Sequence, residues 1–126
     1  MNEVKMTIWG REFNLKVDFD VYGGEDVSAS QSAALSEFVS NVSSVDATLP
    51  SVKAYCLKMN GGDIGATAID NIFKYVIPQS IYIPKWPDGS RMIGLMCAYK
   101  FNREDGLAVV FKNGQFHEIG TQNIIL

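Results

Sequence analysis

The chain has 126 residues, of which 47% are hydrophobic and 20% charged, and its net charge at pH 7 is −3. This balance excludes a disordered chain and predicts one globular domain over residues 1–126. Nucleic acid is excluded as an expected ligand because lysine and arginine form no cluster. No apolar run approaches the roughly 20 residues of a spanning helix, and no secretory signal is visible, so we expect a cytoplasmic protein without a membrane partner.

The N-terminal segment has the period of a half-buried strand. Apolar and polar residues alternate over residues 4–8 and again over residues 13–21, with a short break containing Gly10 between them. Period two with one apolar face predicts a β-hairpin. The paired glycines of the segment 22–24 predict the end of its second strand.

Two segments then change to the helical period. Ser28 and Gln31 fit a capping box at the start of a first helix, whose apolar residues recur over residues 35–42. Pro50 suits the first turn of a second helix, and Asn60-Gly61 predicts its end. We expect residues 61–65 to form a flexible connection.

A third, shorter helix is predicted over residues 69–76. Ile69, Ile72, Phe73 and Val76 recur at helical spacing. Pro78 sets the limit of this segment, since the residue before a proline avoids the helical region.

The last third of the chain returns to strands. A short strand is predicted at residues 81–83 and the longest one at residues 91–101, where apolar residues on both faces indicate a covered central strand. Asn113-Gly114 predicts a hairpin turn, and we expect the apolar residues 124–126 to dock on the core. The fold class is therefore α+β in two layers: an N-terminal β-hairpin, two to three helices and a C-terminal antiparallel β-meander.

None of the candidate chemical groups forms a catalytic or metal-binding set. His117 is the only histidine, and a triad would need partners that the sequence does not supply beside it. Cys56 and Cys97 have neither disulfide nor metal-ligand spacing and are predicted to be buried free thiols. The segment 61–65 lacks the Lys-Ser/Thr of a phosphate loop. We expect no enzymatic activity, no metal and no cofactor.

The acidic residues are unevenly placed. Six acids and three bases lie in the first 30 residues, whereas the remaining residues hold eight of each. Asp18 and Asp20 share one face of a strand, where a solvated polar row is the plain interpretation. Together with Glu25 and Asp26 they could instead form an acidic patch for a basic partner.

A charged turn and a tryptophan supply the other candidate contacts. Arg103, Glu104 and Asp105 lie in a turn between two apolar strands, where charge keeps the connection soluble or serves recognition. Gly106 is expected to take the special backbone angle of this turn. Trp86 is either a core residue or an exposed interface anchor.

Several stretches carry a resemblance. They are Gly10-x-x-Phe13-x-Leu15-x-Val17-x-Phe19-Asp20-x-Tyr22, then Gln31, then the run from Tyr99 to Gly120. The chain resembles a bacterial family of small domains of unknown function, some members of which occur among the immunity proteins of polymorphic toxin systems. Asn102 and Asp105 depart from the aspartate and histidine typical of that family. The resemblance implies no enzyme activity, cofactor or substrate.

The sequence favours a non-enzymatic protein-binding domain, with an immunity-type inhibitor that occludes a basic toxin as its specific form. The contacts would come from the acidic patch and the charged turn. One alternative is a small-molecule-binding domain or cryptic hydrolase with a pocket between helices and sheet. Another is a structural subunit of a homo-oligomer joined through a sheet edge.

Overall fold

The structure is a computed structural model that describes residues 3–21, 25–85 and 89–126. Its strands are β1 (Glu3–Ile8), β2 (Arg11–Phe19), β3 (Val76–Ile83), β4 (Met92–Tyr99), β5 (Leu107–Lys112) and β6 (Gln115–Gly120). Its helices are α1 (Ala29–Ser40), α2 (Val42–Asp46) and α3 (Leu49–Ile64), and single 3₁₀ turns lie at Ile72–Lys74 and Gln122–Ile124. The α+β class predicted from the sequence is confirmed.

The described strands form one mixed sheet in the order β1-β2-β3-β4-β5-β6. Every neighbouring pair is antiparallel except β2 and β3, which run parallel because the helices lie in the crossover between them. The C-terminal ends of β2 and β3 therefore meet at one end of the sheet. The turn between β4 and β5 lies at the opposite end.

Two tight turns set the register of the terminal hairpins. Both residues of the Trp9-Gly10 turn have positive φ, 51° and 86°, and so do both residues of Asn113-Gly114, 51° and 83°. This is the backbone of type I′ hairpins. Trp9 adopts this unusual conformation with its indole nitrogen donating to the Val45 carbonyl and the Thr48 hydroxyl, 3.2 Å from each. These contacts tie the first hairpin to α2.

One face of the sheet packs against the helices and forms the main core. Its fully buried members include Ile8, Leu15, Val52, Ile81 and Leu95. The short helix α2 contacts both edge strands, β1 and β6. A flat sheet of six strands would be about 24 Å wide, whereas α2 is only about 7 Å long. The sheet therefore coils around the helices.

The opposite face, called the open face here, carries a smaller apolar cluster. Ile125 covers it near Gly94, where an added Cβ would come within 3.1 Å of the isoleucine side chain. The other members of the cluster are Met92, Met96, Ala108 and Val110, with Tyr82 packed beside them. Residues 124–126 were expected to dock on the core. Only Ile125 does so, because Ile124 and Leu126 are exposed.

Two local expectations are wrong. The second helix does not end at Asn60-Gly61: the backbone kinks at Asn60 (φ −138°), continues to Ile64 and ends at Gly65 in the left-handed conformation. The predicted flexible connection at residues 61–65 is therefore largely helical.

The expected third helix is a single 3₁₀ turn, Ile72–Lys74. Val76 instead begins β3, and Pro78 lies inside that strand, next to a shift in the register against β4. A bulge is a site where a sheet tolerates a residue without an N–H. Pairing with β2 and β4 overrides the helical spacing of the sequence.

Candidate functional site

The acidic residues Asp18, Asp20, Glu25 and Asp26 lie at the end of the sheet where β2 and β3 finish, called the acid end here. Asp18 points to the open face beside Tyr82, and the backbone N–H of Asp20 donates to the Ile83 carbonyl at 3.0 Å. The chain then continues past Glu25 and Asp26 into α1. The four acids, which lie within nine consecutive positions of the sequence, are therefore at the same end of the sheet.

A buried glutamine holds this end together. Gln31 is 2% exposed, and its side-chain nitrogen donates to the carbonyls of Asp20 and Ile83, 3.0 Å from each. Its side-chain oxygen accepts from the Ser28 N–H at 3.0 Å, while its own backbone N–H donates to the Ser28 hydroxyl at 3.1 Å. The predicted capping box is confirmed. The same side chain also joins the ends of two parallel strands, a role that sequence reasoning missed.

The basic residues near the acid end are largely paired. Lys85 makes a 2.6 Å ion pair with Glu25, and Arg91 contacts Glu37 at 3.2 Å. Within the described residues, the carboxylates of Asp18, Asp20 and Asp26 have no such partner and are exposed. The acid end therefore presents unneutralised negative charge. Trp86 and the predicted strand stop at residues 22–24 lie outside the described residues.

The charged turn of residues 102–106 lies at the opposite end of the sheet, roughly 20 Å away along an eight-residue strand. The Asn102 side chain accepts from the Asp105 N–H at 3.1 Å, and Gly106 has a φ of +59°, as expected. Arg103 and Glu104 are exposed. The structure therefore separates the predicted contact residues into two groups, one at each end, because β4 runs antiparallel to β3.

Arg103 instead belongs to a groove that sequence reasoning missed. This cationic groove has a volume of about 500 Å³ and is lined by Lys74, Tyr75, Ile77, Ala98, Tyr99, Lys100 and Arg103. Tyr75 stacks on Phe101 with ring centroids 5.6 Å apart. The Lys100 ammonium lies 5.9 Å from the first ring centroid and 5.8 Å from the second.

A sequence signal for this groove does exist. Lys74-Tyr75 and Lys100-Phe101 both place a cation beside an aromatic residue. The two pairs meet because the Lys100 N–H donates to the Tyr75 carbonyl at 2.8 Å, where β3 begins and β4 ends. Only the pairing of these strands makes the two dipeptides one site.

The family model of a domain of unknown function (DUF6985) matches residues 1–126. The chain belongs to the DUF6985 family. No curated protein and no solved structure matches it.

The thiols of this DUF6985 domain are buried, as predicted. Cys56 and Cys97 are both 0% exposed and free. Burial raises the pKa of the Cys97 thiol, and it also raises the pKa of the Cys56 thiol against the opposing effect of a hydrogen bond with Tyr99. Since a thiolate is the reactive form, these environments disfavour nucleophilic chemistry.

A buried tyrosine connects the Cys56 thiol of the DUF6985 domain to the kink in α3. The Tyr99 hydroxyl donates to the Asn60 side-chain oxygen at 2.7 Å, and the Asn60 amide donates to Asp63 at 3.0 Å. Burial raises the pKa of the Tyr99 phenol, and the neighbouring Cys56 raises it further. The arrangement fixes the helix against β4.

The remaining candidate groups of the DUF6985 domain are dispersed. His117 is exposed on the edge strand β6, beside a register shift between Val110 and Phe111. Among the described residues, no three histidine, cysteine or acidic side chains are grouped so that they could hold a metal ion. Across the same residues, each helix is too short or too polar to cross a bilayer.

Proposed function

We propose that this domain is a non-enzymatic protein-binding module that recognises a basic protein through its acid end. In its specific form it is a bacterial immunity-type inhibitor that occludes a basic toxin surface. The resemblance found in the sequence suggests that form. A cytoplasmic location of this domain would let it neutralise the toxin inside the cell that makes the toxin.

The observation that carries the proposal is the exposed, unpaired charge at the acid end. Asp18, Asp20 and Asp26 are exposed at this end of the molecule, where Lys85 is paired with Glu25 and Arg91 with Glu37. Unpaired carboxylates grouped on a fixed surface accelerate the association of a positively charged protein. Such a surface also disfavours acidic partners, which adds specificity.

The rigidity of the frame supports the same proposal. Gln31 holds the ends of β2, β3 and α1 with buried hydrogen bonds of 3.0 Å. Carboxylates on a preorganised backbone lose little conformational freedom when a partner docks, so less of the binding energy is spent on ordering. An occluding inhibitor needs this kind of surface, because it must hold a bound orientation over the site that it covers.

The experiment measures binding of basic proteins encoded by neighbouring genes to immobilised domain at low and physiological salt. The test variant removes three charges: Asp18→Asn, Asp20→Asn and Asp26→Asn. The matched control removes three exposed charges elsewhere: Glu12→Gln, Asp70→Asn and Glu118→Gln. We expect the test variant to lower the association rate about tenfold at low salt, and the control to change it less than about threefold.

Two outcomes would contradict the proposal. One is that none of these proteins binds at low salt. The other is that both triple variants weaken binding equally, since the effect would then follow net charge and not the acid end.

A further inference from the structure

The cationic groove differs from the acid end in charge and shape. It is a concave, solvent-open site of about 500 Å³ at the start of β3 and the end of β4. Three of its lining residues, Lys74, Lys100 and Arg103, are cations, and among the described residues no acid lines it. In a chain of net charge −3, this local excess of positive charge runs against the overall balance and favours an anionic ligand.

One cation of the groove, Lys100, is held in place by aromatic rings without being neutralised. Lys100 rests against the stacked rings of Tyr75 and Phe101, with its ammonium just under 6 Å from each centroid. Within the described residues, none of the three cations is in an ion pair. A cation–π contact orients an ammonium while leaving its N–H donors available to a carboxylate.

The floor of the groove is apolar. Ile77 is 36% exposed and faces the open side of the sheet beside Ala98. The Ile125 side chain, which covers this face, lies over Gly94, farther along β4. A ligand that fits both parts of the groove carries negative charge next to an apolar group.

We propose that the cationic groove is a second interaction surface, which binds an acidic peptide segment of a partner protein. Carboxylates of the segment bind Lys74, Lys100 and Arg103, and a neighbouring apolar side chain packs on Ile77 and Ala98. The groove lies at the opposite end of the sheet from the acid end. The inference therefore does not depend on the function proposed above, and the two surfaces can be tested separately.

The charge around the groove favours a peptide over a nucleic acid. Glu104 and Asp105 follow Arg103 in the same turn, so a continuous run of phosphates would meet negative charge beside the groove. A peptide can place separated carboxylates on the three cations and keep its other side chains away from these acids. It also supplies the aliphatic or aromatic group that the floor accepts.

The experiment follows the fluorescence anisotropy of a labelled peptide in which glutamates alternate with phenylalanines, titrated with the full chain at low salt. The test variant is Lys100→Gln with Arg103→Gln. The matched control, Lys5→Gln with Lys58→Gln, removes the same charge from exposed positions elsewhere. We expect saturable binding that weakens about tenfold in the test variant and less than twofold in the control. Thermal melts verify that both variants fold.

A second peptide tests the apolar floor. Replacing its phenylalanines with serines keeps the charge and should weaken binding at least about threefold. The acid-end triple variant should bind the original peptide as the wild type does, so failure at one surface is distinguishable from failure at the other.

Four results would overturn the inference. The first is no saturable binding of the peptide. The second is that the control, Lys5→Gln with Lys58→Gln, weakens binding as much as the test variant does. The third is tighter binding of an oligouridylate of equal charge, which would make the groove a nucleic-acid site. Concentration-dependent self-association abolished by Lys100→Gln with Arg103→Gln would also overturn it, because the occupant would then be a second copy.

Discussion

The two ends of the sheet carry opposite charge and are built by different interactions. At the acid end, carboxylates project from strand ends that the buried Gln31 joins by hydrogen bonds. At the groove end, the Lys100 ammonium lies against the stacked rings of Tyr75 and Phe101. Hydrogen bonds require a donor at a fixed place, whereas ring packing tolerates small shifts. We therefore expect single substitutions to lower the free energy of unfolding more at the acid end than at the groove end.

The largest effect is expected for Gln31→Glu. The change is isosteric but replaces a donor with a carboxylate facing the carbonyls of Asp20 and Ile83. Burying that charge without a partner should lower the free energy of unfolding at pH 7 by about 3 kcal/mol. Burial raises the pKa of such a carboxyl, so the lost stability should return as the pH falls toward its unfolded value of about 4.3. Urea denaturation at several pH values measures both effects.

The matched control for this change is Gln115→Glu on the edge strand, where the side chain is exposed. It should alter the free energy of unfolding by less than about 0.5 kcal/mol. Equal unfolding midpoints for Gln31→Glu and Gln115→Glu would show that the acid end does not depend on this hydrogen-bonded frame.

The next largest effect is expected at the groove end for Gly106→Ala. Gly106 has a positive φ, and an added Cβ would lie 2.7 Å from the Cys97 carbonyl and 2.6 Å from the Gln122 amide. Strain and contact together should cost about 1–3 kcal/mol of stability. Gly62→Ala is the control: it lies within α3 with no atom near its added Cβ, so it should stabilise by about 0.5–1 kcal/mol. The same sign of change in both variants would refute this account.

The smallest effect at neutral pH is expected for Tyr99→Phe, which removes the hydrogen bond to Asn60 and should cost about 1 kcal/mol. Burial raises the pKa of the Tyr99 phenol above its unfolded value of about 10. The contribution of the Tyr99 hydroxyl to the free energy of unfolding is therefore complete below about pH 10. It is lost as the pH rises through the pKa of the folded state. Tyr99→Phe should make the fall in stability above about pH 10 less steep, as measured by urea unfolding. Parallel wild-type and variant curves would contradict the assignment.

The features that sequence reasoning predicted are mostly local. The turn residues Gly10, Asn113 and Gly114 determine their hairpins because only a few conformations close a two-residue loop. Ser28 and Gln31 cap α1 from three residues apart. The covered strand β4 was evident from its apolar residues on both faces. Each of these signals involves neighbours in sequence.

The errors arise where distant partners compete with local spacing. Ile69, Ile72 and Val76 are buried, as a helix would require, yet Val76 pairs with Tyr99 and so belongs to a strand. In α3 the helix kinks at Asn60, whose side-chain oxygen accepts a hydrogen bond from the Tyr99 hydroxyl. The helix then continues through two glycines. Burial was predicted correctly at Ile69, Ile72 and Val76, whereas their backbone conformation depended on strand pairing.

The sequence by itself determined the α+β class, the terminal hairpins, the capped first helix and the burial of both thiols, because each follows from short-range periodicity or turn chemistry. Only the tertiary structure decided which charges distant in the sequence lie together. The ends of β2 and β3 place the predicted acidic patch at one end of the sheet. The antiparallel pairing of β3 with β4 places Lys74 beside Lys100 and Arg103 at the other end. Surface charges are not held by burial, so the strands that carry them determine where they meet.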